Sequence, residues 1–214
     1  MDIAEKTLQL KKDFDDVYEA GKEEKSREFW EQIQKGGNAQ TYYYMFGYNR
    51  FNDETFKPIY DIVCSAANNS AQNMFYNTTT VTEINVTIDV RGTTHIGAIL
   101  YNATKMKTVK KIIIGNKIVS GGNNAFYNCE SLENITFEGD ISLTINFQYS
   151  PLTTKSIVNI VEHLSATASG MSLTISGTAK KNMTFPYTSE ESGITYNSWD
   201  ELIATKTNWT ISIP

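Results

Sequence analysis

The stretch that decides the fold of this chain reads Ala125-Phe126-Tyr127-Asn128-Cys129-Glu130-Ser131-Leu132-Glu133-Asn134-Ile135-Thr136-Phe137. Its anchor, Phe126, is followed by Leu132 six residues later and by Ile135 nine residues later. The same spacing recurs twice upstream, each time with Tyr-Asn directly after the anchor. The matching sets are Phe75, Val81 and Ile84, and Leu100, Met106 and Val109. The anchors are 25 and 26 residues apart, and Phe147 opens an incomplete fourth copy that ends at Leu152.

A period in the twenties with apolar residues at fixed positions is typical of units that stack into a solenoid. β-Branched runs after the anchors predict short strands at 84–88, 111–114 and 135–137. The Tyr-Asn pair predicts a turn, because Asn tolerates left-handed backbone. We therefore expect Phe126, Leu132 and Ile135 to be buried. The alternative is a β-sandwich in which the similarity is coincidental.

These residues also carry a resemblance. With Ala125, Phe126, Cys129, Ser131, Leu132 and Ile135 at this spacing, the stretch resembles the signature of the BspA-type leucine-rich repeat family. The resemblance covers residues 71 to 152, although the copies at 75 and 100 lack the Cys and the Ser-Leu pair. The layout around them also resembles small repeat proteins of gut bacteria and their phages. The resemblance implies a non-enzymatic surface or virion protein used in attachment.

We expect an α+β fold, a short leucine-rich-repeat-like β-solenoid with an N-terminal helix and an αβ C-terminal cap. The predicted segments are a helical tether at 1–34, a Tyr-rich N-terminal cap at 35–70, the repeats at 71–152 and the αβ cap at 153–214. In the last segment, the pattern predicts a helix from Thr153 through Leu164 and a strand from Met171 to Ser176. A capping box at Ser198 and Glu201 opens another helix, and a strand at 209–213 closes the chain. Residues 178–197 are predicted to be mostly loop.

The first 34 residues contain 10 acidic and 6 basic residues and no proline, which favours helix. Apolar and small residues fall there at alternating spacings of four and three, the a/d seam of a coiled coil. The seam residues are Ile3, Thr7, Leu10, Phe14 and Val17. They predict a homo-oligomer, a trimer if the protein belongs to a virion. The alternative is a surface helix packed on its own domain.

A run of aromatic residues follows at positions 42–51. Tyrosine combines an apolar ring with a polar edge, which suits surfaces that bind protein or glycan. The candidate ligand-binding residues are Tyr42, Tyr43, Tyr44, Tyr48 and Arg50. The competing interpretation is a cap that covers the open end of the first repeat.

Composition and motifs exclude several classes of function. The formal net charge of −5 argues against a nucleic-acid partner. No run of apolar residues is long enough for a membrane span. Neither His95 nor His163 has partners at metal-ligand spacing, and we predict no cofactor and no metal. We expect Cys129 to be an unpaired, inert thiol, with a disulfide to Cys64 as the alternative. No nucleophile motif occurs; an enzyme would need a pocket with two carboxylates or a nucleophile-base pair.

The expected function is therefore a structural or recognition protein, tail-associated or receptor-binding in a phage virion. The first residues carry no apolar signal-peptide core, which favours the virion over export. The alternative is a bacterial cell-surface adhesion module that binds host protein or glycan. In and directly after the opening stretch, ligand contacts would involve the residues that differ between copies, namely Glu130, Glu133 and Glu138.

Overall fold

The structure is a computed structural model that describes residues 46–49, 51–54, 56–58, 61–64 and 71–214. This part of the chain contains nine strands and four helices. The strands are β1 (Ile62–Val63), β2 (Glu83–Asp89), β3 (Thr108–Ile113), β4 (Asn134–Glu138), β5 (Ile145–Phe147), β6 (Met171–Ile175), β7 (Tyr187–Thr188), β8 (Thr195–Tyr196) and β9 (Trp209–Ser212). The helices are α1 (Gly122–Ala125), α2 (Thr154–His163), α3 (Gly177–Asn182) and α4 (Trp199–Ala204). The helix predicted within residues 1–34 lies outside the described residues.

The first sheet is parallel throughout and has the strand order β1-β2-β3-β4. The sequence repeat sets its register, because the residues nine positions after each anchor are direct partners. These are Ile84, Val109 and Ile135, and all three are buried. The three strands predicted from β-branched runs are confirmed, with bounds that differ by a few residues at most.

The Tyr-Asn turns are also confirmed. Asn77, Asn102 and Asn128 have φ angles of 59°, 60° and 58°, in the left-handed region that Asn tolerates better than most residues. The turns stack on one another through the backbone: Asn77 N donates to Tyr101 O at 2.8 Å, and Asn102 N donates to Tyr127 O at 2.9 Å. Successive repeats are therefore joined at the turns as well as in the sheet.

A single apolar core runs through the described residues. Phe126, Leu132 and Ile135 are buried, as expected. The Phe126 ring stacks on Phe147 with centroids 4.7 Å apart. At the other end, Phe46 stacks on Phe75 at 4.9 Å. Residue 46 thus extends the aromatic stack by one position on the N-terminal side.

The second sheet is also parallel and has the order β5-β6-β9. Parallel neighbours need crossover connections, which α2 supplies between β5 and β6. The predicted helix and its N-cap are confirmed, because the Thr153 side chain accepts a hydrogen bond from Ser156 N. Between β6 and β9 come α3, the antiparallel pair β7-β8 and α4. The N-cap of α4 is confirmed, because Ser198 Oγ accepts from Glu201 N at 3.1 Å. The Glu201 carboxylate accepts from Asn197 N at 2.7 Å, one residue before the N–H of Ser198 that a capping box would use.

Helix α2 closes the free edge of β4 with side chains. Ile135 N donates to Ser156 Oγ at 3.0 Å, and Phe137 N donates to Asn159 Oδ1 at 2.7 Å. Asn159 Nδ2 also donates to Phe137 O at 3.2 Å. The amide of Asn159 thereby pairs with Phe137 as the peptide of another strand would.

The predicted fold class is wrong. The described part is mixed α/β, with parallel sheets and four short helices, and its sheets form no solenoid. Strand pairing ends at β4 because α2 occupies that edge, and β5 belongs to a separate sheet with β6 and β9. The residues expected to form an appended cap, 153–214, supply two of the three strands of that second sheet. The stretch 178–197, predicted to be mostly loop, contains most of α3 and the β7-β8 pair.

Candidate functional site

Five tyrosines, one from each successive turn, form a continuous line on the surface that we call the tyrosine ridge. Its members are Tyr48, Tyr76, Tyr101, Tyr127 and Tyr149. The ring centroids of neighbours are 5.5, 5.2, 5.2 and 5.0 Å apart, in that order. The first four turns are stacked on one another by backbone hydrogen bonds, and Tyr127 and Tyr149 are joined through their hydroxyls at 3.4 Å.

The asparagines beside the ridge hold it in place. Asn102 Nδ2 donates to Asn77 Oδ1 at 2.5 Å, and Asn128 Nδ2 donates to Asn102 Oδ1 in the same way. Each left-handed Asn orients the tyrosine that precedes it, and the side-chain ladder ties three consecutive turns together. At the N-terminal end, Tyr48 N donates to Tyr76 O at 2.9 Å. The ridge is therefore rigid along its length.

The rings differ in what they present to solvent. Tyr76, Tyr101 and Tyr127 are half-buried and stacked, with interplanar angles of 10° and 17°, so their faces cover one another. The ring edges of Tyr101 and Tyr127 remain at the surface. Tyr149 lies edge-on to Tyr127 at 81° and is 41% exposed, and Tyr48 is 52% exposed. The ridge thus offers the edges of its middle rings and, at its C-terminal end, the partly exposed ring of Tyr149.

Two hydroxyls of the ridge are paired with each other. The Tyr127 and Tyr149 hydroxyls lie 3.4 Å apart, and this hydrogen bond raises the pKa of Tyr127 above its ordinary value. A protonated phenol both donates and accepts a hydrogen bond. The ridge can therefore bind the hydroxyls and amides of a polar ligand by hydrogen bonds and its C–H groups by contact with the rings.

Of the candidate ligand residues, the structure places only Tyr48, which is exposed at one end of the ridge. Tyr42, Tyr43, Tyr44 and Arg50 lie outside the described residues. So do the predicted oligomerisation residues Ile3, Thr7, Leu10, Phe14 and Val17. The sequence analysis missed Tyr76, Tyr101, Tyr127 and Tyr149 as surface groups. For Tyr76, Tyr101 and Tyr127 the signal was the repeat itself, because each directly follows its anchor and residues at one fixed position align when the turns stack. Tyr149 follows Phe147 by two residues and does not share that position.

The glutamates of the opening stretch do not form one site. Glu130 and Glu133 are exposed. The Glu138 carboxylate pairs with Lys111 Nζ at 2.8 Å, and this hydrogen bond holds the pKa of Glu138 below its ordinary value. Glu138 is thus engaged at the end of β4, on a different strand from its partner.

A cleft of about 250 Å³ lies between α2 and the β7-β8 pair and contains three carboxylates. Glu162 accepts hydrogen bonds from Ser189 Oγ at 2.7 Å, Ser192 Oγ at 2.5 Å and Tyr196 Oη at 3.1 Å. Glu190 pairs with Lys155 at 2.6 Å. Glu191 accepts from Asn159 at 3.1 Å and lies 3.4 Å from His163. The cleft meets the two-carboxylate condition set above for an enzyme. Each carboxylate, however, has a protein partner that joins the hairpin to the helix, so we interpret the cleft as a structural junction.

The thiols of Cys64 and Cys129 are both free and buried. Cys129 Sγ donates to Leu100 O at 3.0 Å, and burial raises the pKa of Cys129 to about 12. Within the residues that the structure describes, no group of three or more His, Cys, Asp or Glu side chains is arranged to hold a metal ion. Across the same residues, every helix is too short or too polar to cross a membrane.

Comparison with known proteins adds no relative: no family model, no curated protein and no solved structure matches the chain. The site must therefore be interpreted from its own geometry.

Proposed function

We propose that this protein is a non-enzymatic recognition protein that binds an extended protein or glycan ligand along the tyrosine ridge. The observation that carries the proposal is the row of five tyrosines at a spacing of 5.0 to 5.5 Å, tied together by an asparagine ladder. Successive tyrosines of such a row would contact successive residues or sugars of an extended ligand. It has no evident role in holding the core, which lies on the other side of the turns.

The rigidity of the ridge supports this proposal. Side chains that are ordered before binding lose little conformational entropy when the ligand arrives. Tyrosine gives a large contact area with few rotatable bonds and one polar group at its tip. These properties explain why a surface would use stacked tyrosines rather than longer flexible side chains.

We further propose that the protein acts in attachment, as a tail-associated or receptor-binding protein of a phage virion. The support is the resemblance of residues 125–137 to the BspA-type repeat signature together with the exposed ridge. A bacterial cell-surface adhesin is the second candidate, supported by the same two features. Mass spectrometry of purified phage particles and labelling of intact cells separate them: the chain is expected in the particle, and its recovery from the labelled cell surface alone contradicts the virion proposal.

We also propose self-association through the helix predicted in residues 1–34, whose seam runs from Ile3 to Val17. Several copies would give several ridges and raise the avidity for a repetitive ligand. Light scattering of the full chain is expected to give a multimer that dissociates when residues 1–25 are removed. A monomer at high concentration contradicts this proposal.

Replacing the two central tyrosines of the ridge, Tyr101 and Tyr127, tests whether the ridge binds the ligand. The double variant Tyr101→Ala/Tyr127→Ala is expected to lose about 30-fold or more in affinity for any ligand of the full chain found on a glycan array or among candidate receptor proteins, because a tyrosine that a ligand covers costs roughly 1 kcal/mol or more when truncated. The matched variant Tyr101→Phe/Tyr127→Phe keeps the stack and removes only the hydroxyls, and is expected to lose less. Undiminished binding by the alanine variant contradicts the proposal, provided circular dichroism shows it folded.

A further inference from the structure

The charges of this acidic chain are unevenly placed. Between Asp89 and Glu130 there is no acidic residue. The same interval contains six basic residues, Arg91, Lys105, Lys107, Lys110, Lys111 and Lys117. The repeat that contributes β3 is therefore basic in a chain whose formal net charge is −5.

Three of these lysines form one stripe along the start of β3. Lys105, Lys107 and Lys110 are exposed, whereas the intervening Met106 and Val109 are buried. All three side chains are therefore at the surface, within a span of six residues. We call Lys105, Lys107 and Lys110 the lysine stripe.

The other basic groups of this interval are partly neutralised. Arg91 pairs with Asp89 at 2.6 Å, and Lys111 pairs with Glu138 at 2.8 Å. Among the described residues, no acidic side chain lies within ion-pair distance of the lysine stripe. The stripe thus keeps its positive charge available on the surface.

The lysine stripe begins four residues after Tyr101 of the tyrosine ridge. Lys105 follows Tyr101 by four residues, so their Cα atoms are at most about 14 Å apart along the chain. The tyrosines of the ridge come from successive repeats, whereas the three lysines of the stripe all belong to the repeat that contributes β3. On the neighbouring repeats, Glu83 and Glu133 are exposed at the corresponding strand starts. A ligand on the stripe is therefore flanked by negative charge on both sides.

We propose that the ligand of this surface is a linear acidic polysaccharide whose carboxylates are separated by uncharged sugars. Its carboxylates would lie on the lysine stripe, and its neutral sugars would contact the hydroxyls and edges of the tyrosine ridge. Lysines, as flexible point charges, suit carboxylates that are not held in one plane. A densely charged polymer such as nucleic acid fits less well, because Glu83 and Glu133 repel it beside the stripe. The inference rests on the proposed recognition function and names its ligand.

The test measures binding of the full chain to a hyaluronan oligosaccharide, in which charged and neutral sugars alternate. The variant Lys105→Gln/Lys107→Gln/Lys110→Gln is expected to bind it about tenfold more weakly and with a smaller dependence on salt. The control variant Lys57→Gln/Lys117→Gln/Lys181→Gln changes the net charge equally at exposed positions outside the stripe, and is expected to change the affinity less than about twofold. Circular dichroism checks that both variants are folded.

Other ligands separate failure of this inference from failure of the proposed function. An uncharged chitin oligosaccharide that binds as tightly as hyaluronan, and depends on Tyr101 and Tyr127, overturns the acidic ligand but leaves the recognition function standing. Equal weakening by both lysine variants, tighter binding of single-stranded DNA, or no binding of hyaluronan also overturns the inference. If Tyr101→Ala/Tyr127→Ala binds every ligand of the wild-type protein unchanged, the proposed function itself fails.

Discussion

At the scale of single residues, the asparagines of the turns combine two roles. Asn102 adopts left-handed backbone, and its side chain donates to Asn77 and accepts from Asn128. Few residues tolerate this conformation, and only Asn also has a side-chain amide of the right length. The ladder is therefore a property of the residue type at a repeated position.

Replacing Asn102 by Ala is expected to lower the free energy of unfolding by about 2–4 kcal/mol, because it strains the turn and leaves two amide partners unsatisfied. Urea denaturation measures the change. Asn102→Gly keeps the backbone conformation and removes only the ladder, so it is expected to lose less. The control Asn116→Ala, at an exposed turn, is expected to change stability by under about 0.5 kcal/mol. Equal effects of Asn102→Ala and Asn116→Ala would show that the ladder contributes nothing.

Two buried thiols and one buried tyrosine predict that the folded protein becomes less stable at alkaline pH. Burial raises the pKa of Cys64 and Cys129, the latter to about 12, and it also raises the pKa of Tyr196 to about 12. Above about pH 8.5 the unfolded chain loses thiol protons that the folded chain keeps. The contribution of the thiols to stability is therefore fully present below that pH and falls as the pH rises toward 12, by about 1.4 kcal/mol per pH unit for each such thiol.

The measurement is urea denaturation between pH 7 and 10. Cys129→Ala is expected to reduce the slope of the free energy of unfolding against pH by the contribution of one thiol. Alanine fits the site, because Ala103 occupies the same position in the preceding repeat and is buried. A thiol reagent is expected to react with neither cysteine until the chain unfolds. A slope that Cys129→Ala leaves unchanged, or rapid labelling of the native protein, would contradict this account.

At the scale of elements, helix α2 decides where the first sheet ends. Its Ser156 and Asn159 side chains satisfy the backbone of Ile135 and Phe137, groups that would otherwise form an open strand edge. An open edge with unpaired backbone groups is a template for pairing with another chain. The helix therefore both stabilises β4 and protects it.

The variant Ser156→Ala/Asn159→Ala is expected to lose about 2–5 kcal/mol of stability, because two backbone N–H groups lose their acceptors. Light scattering should also show concentration-dependent association through the uncovered edge. Lys155→Ala on the same helix removes an exposed ion pair with Glu190, and is expected to cost under about 1 kcal/mol. If Ser156→Ala/Asn159→Ala matches Lys155→Ala both in stability and in light scattering, α2 does not protect the edge of β4.

At the scale of the whole molecule, the two sheets share one core. One cluster of buried residues includes Phe46 and Trp209, and Phe137 of β4 packs against Phe147 of β5 with ring centroids 6.4 Å apart, which connects the first sheet to the second. A shared core favours a single cooperative unfolding transition.

Phe75→Ala removes a core side chain beside the first sheet, and Leu173→Ala removes one in the second. Each is expected to lower the free energy of unfolding by about 2–5 kcal/mol and to lower the unfolding midpoint of both sheets by the same amount. In a Trp30→Phe background, fluorescence reports Trp199 and Trp209 near the second sheet, and amide exchange reports β2 and β3 in the first. Separate transitions for the two probes would show that the sheets unfold independently.

The sequence by itself determined the local structure of the repeats. Fixed offsets from Phe75, Leu100 and Phe126 located the strands, the buried positions and the left-handed turns, because burial and backbone preference depend on residue type at each position. The N-caps at Thr153 and Ser198 were equally predictable, since capping involves neighbours in sequence.

Only the tertiary structure decided how the strands were shared between sheets, and it overturned the expected solenoid. The end of pairing at β4 depends on Ser156 and Asn159, which lie some twenty residues beyond their partners and belong to no repeat. The tyrosine ridge and the lysine stripe likewise became visible as surfaces only once the turns were stacked and β3 was paired on both sides. A periodic pattern encodes contacts between equivalent residues, whereas contacts between unlike segments have no period and emerge only when the chain is folded.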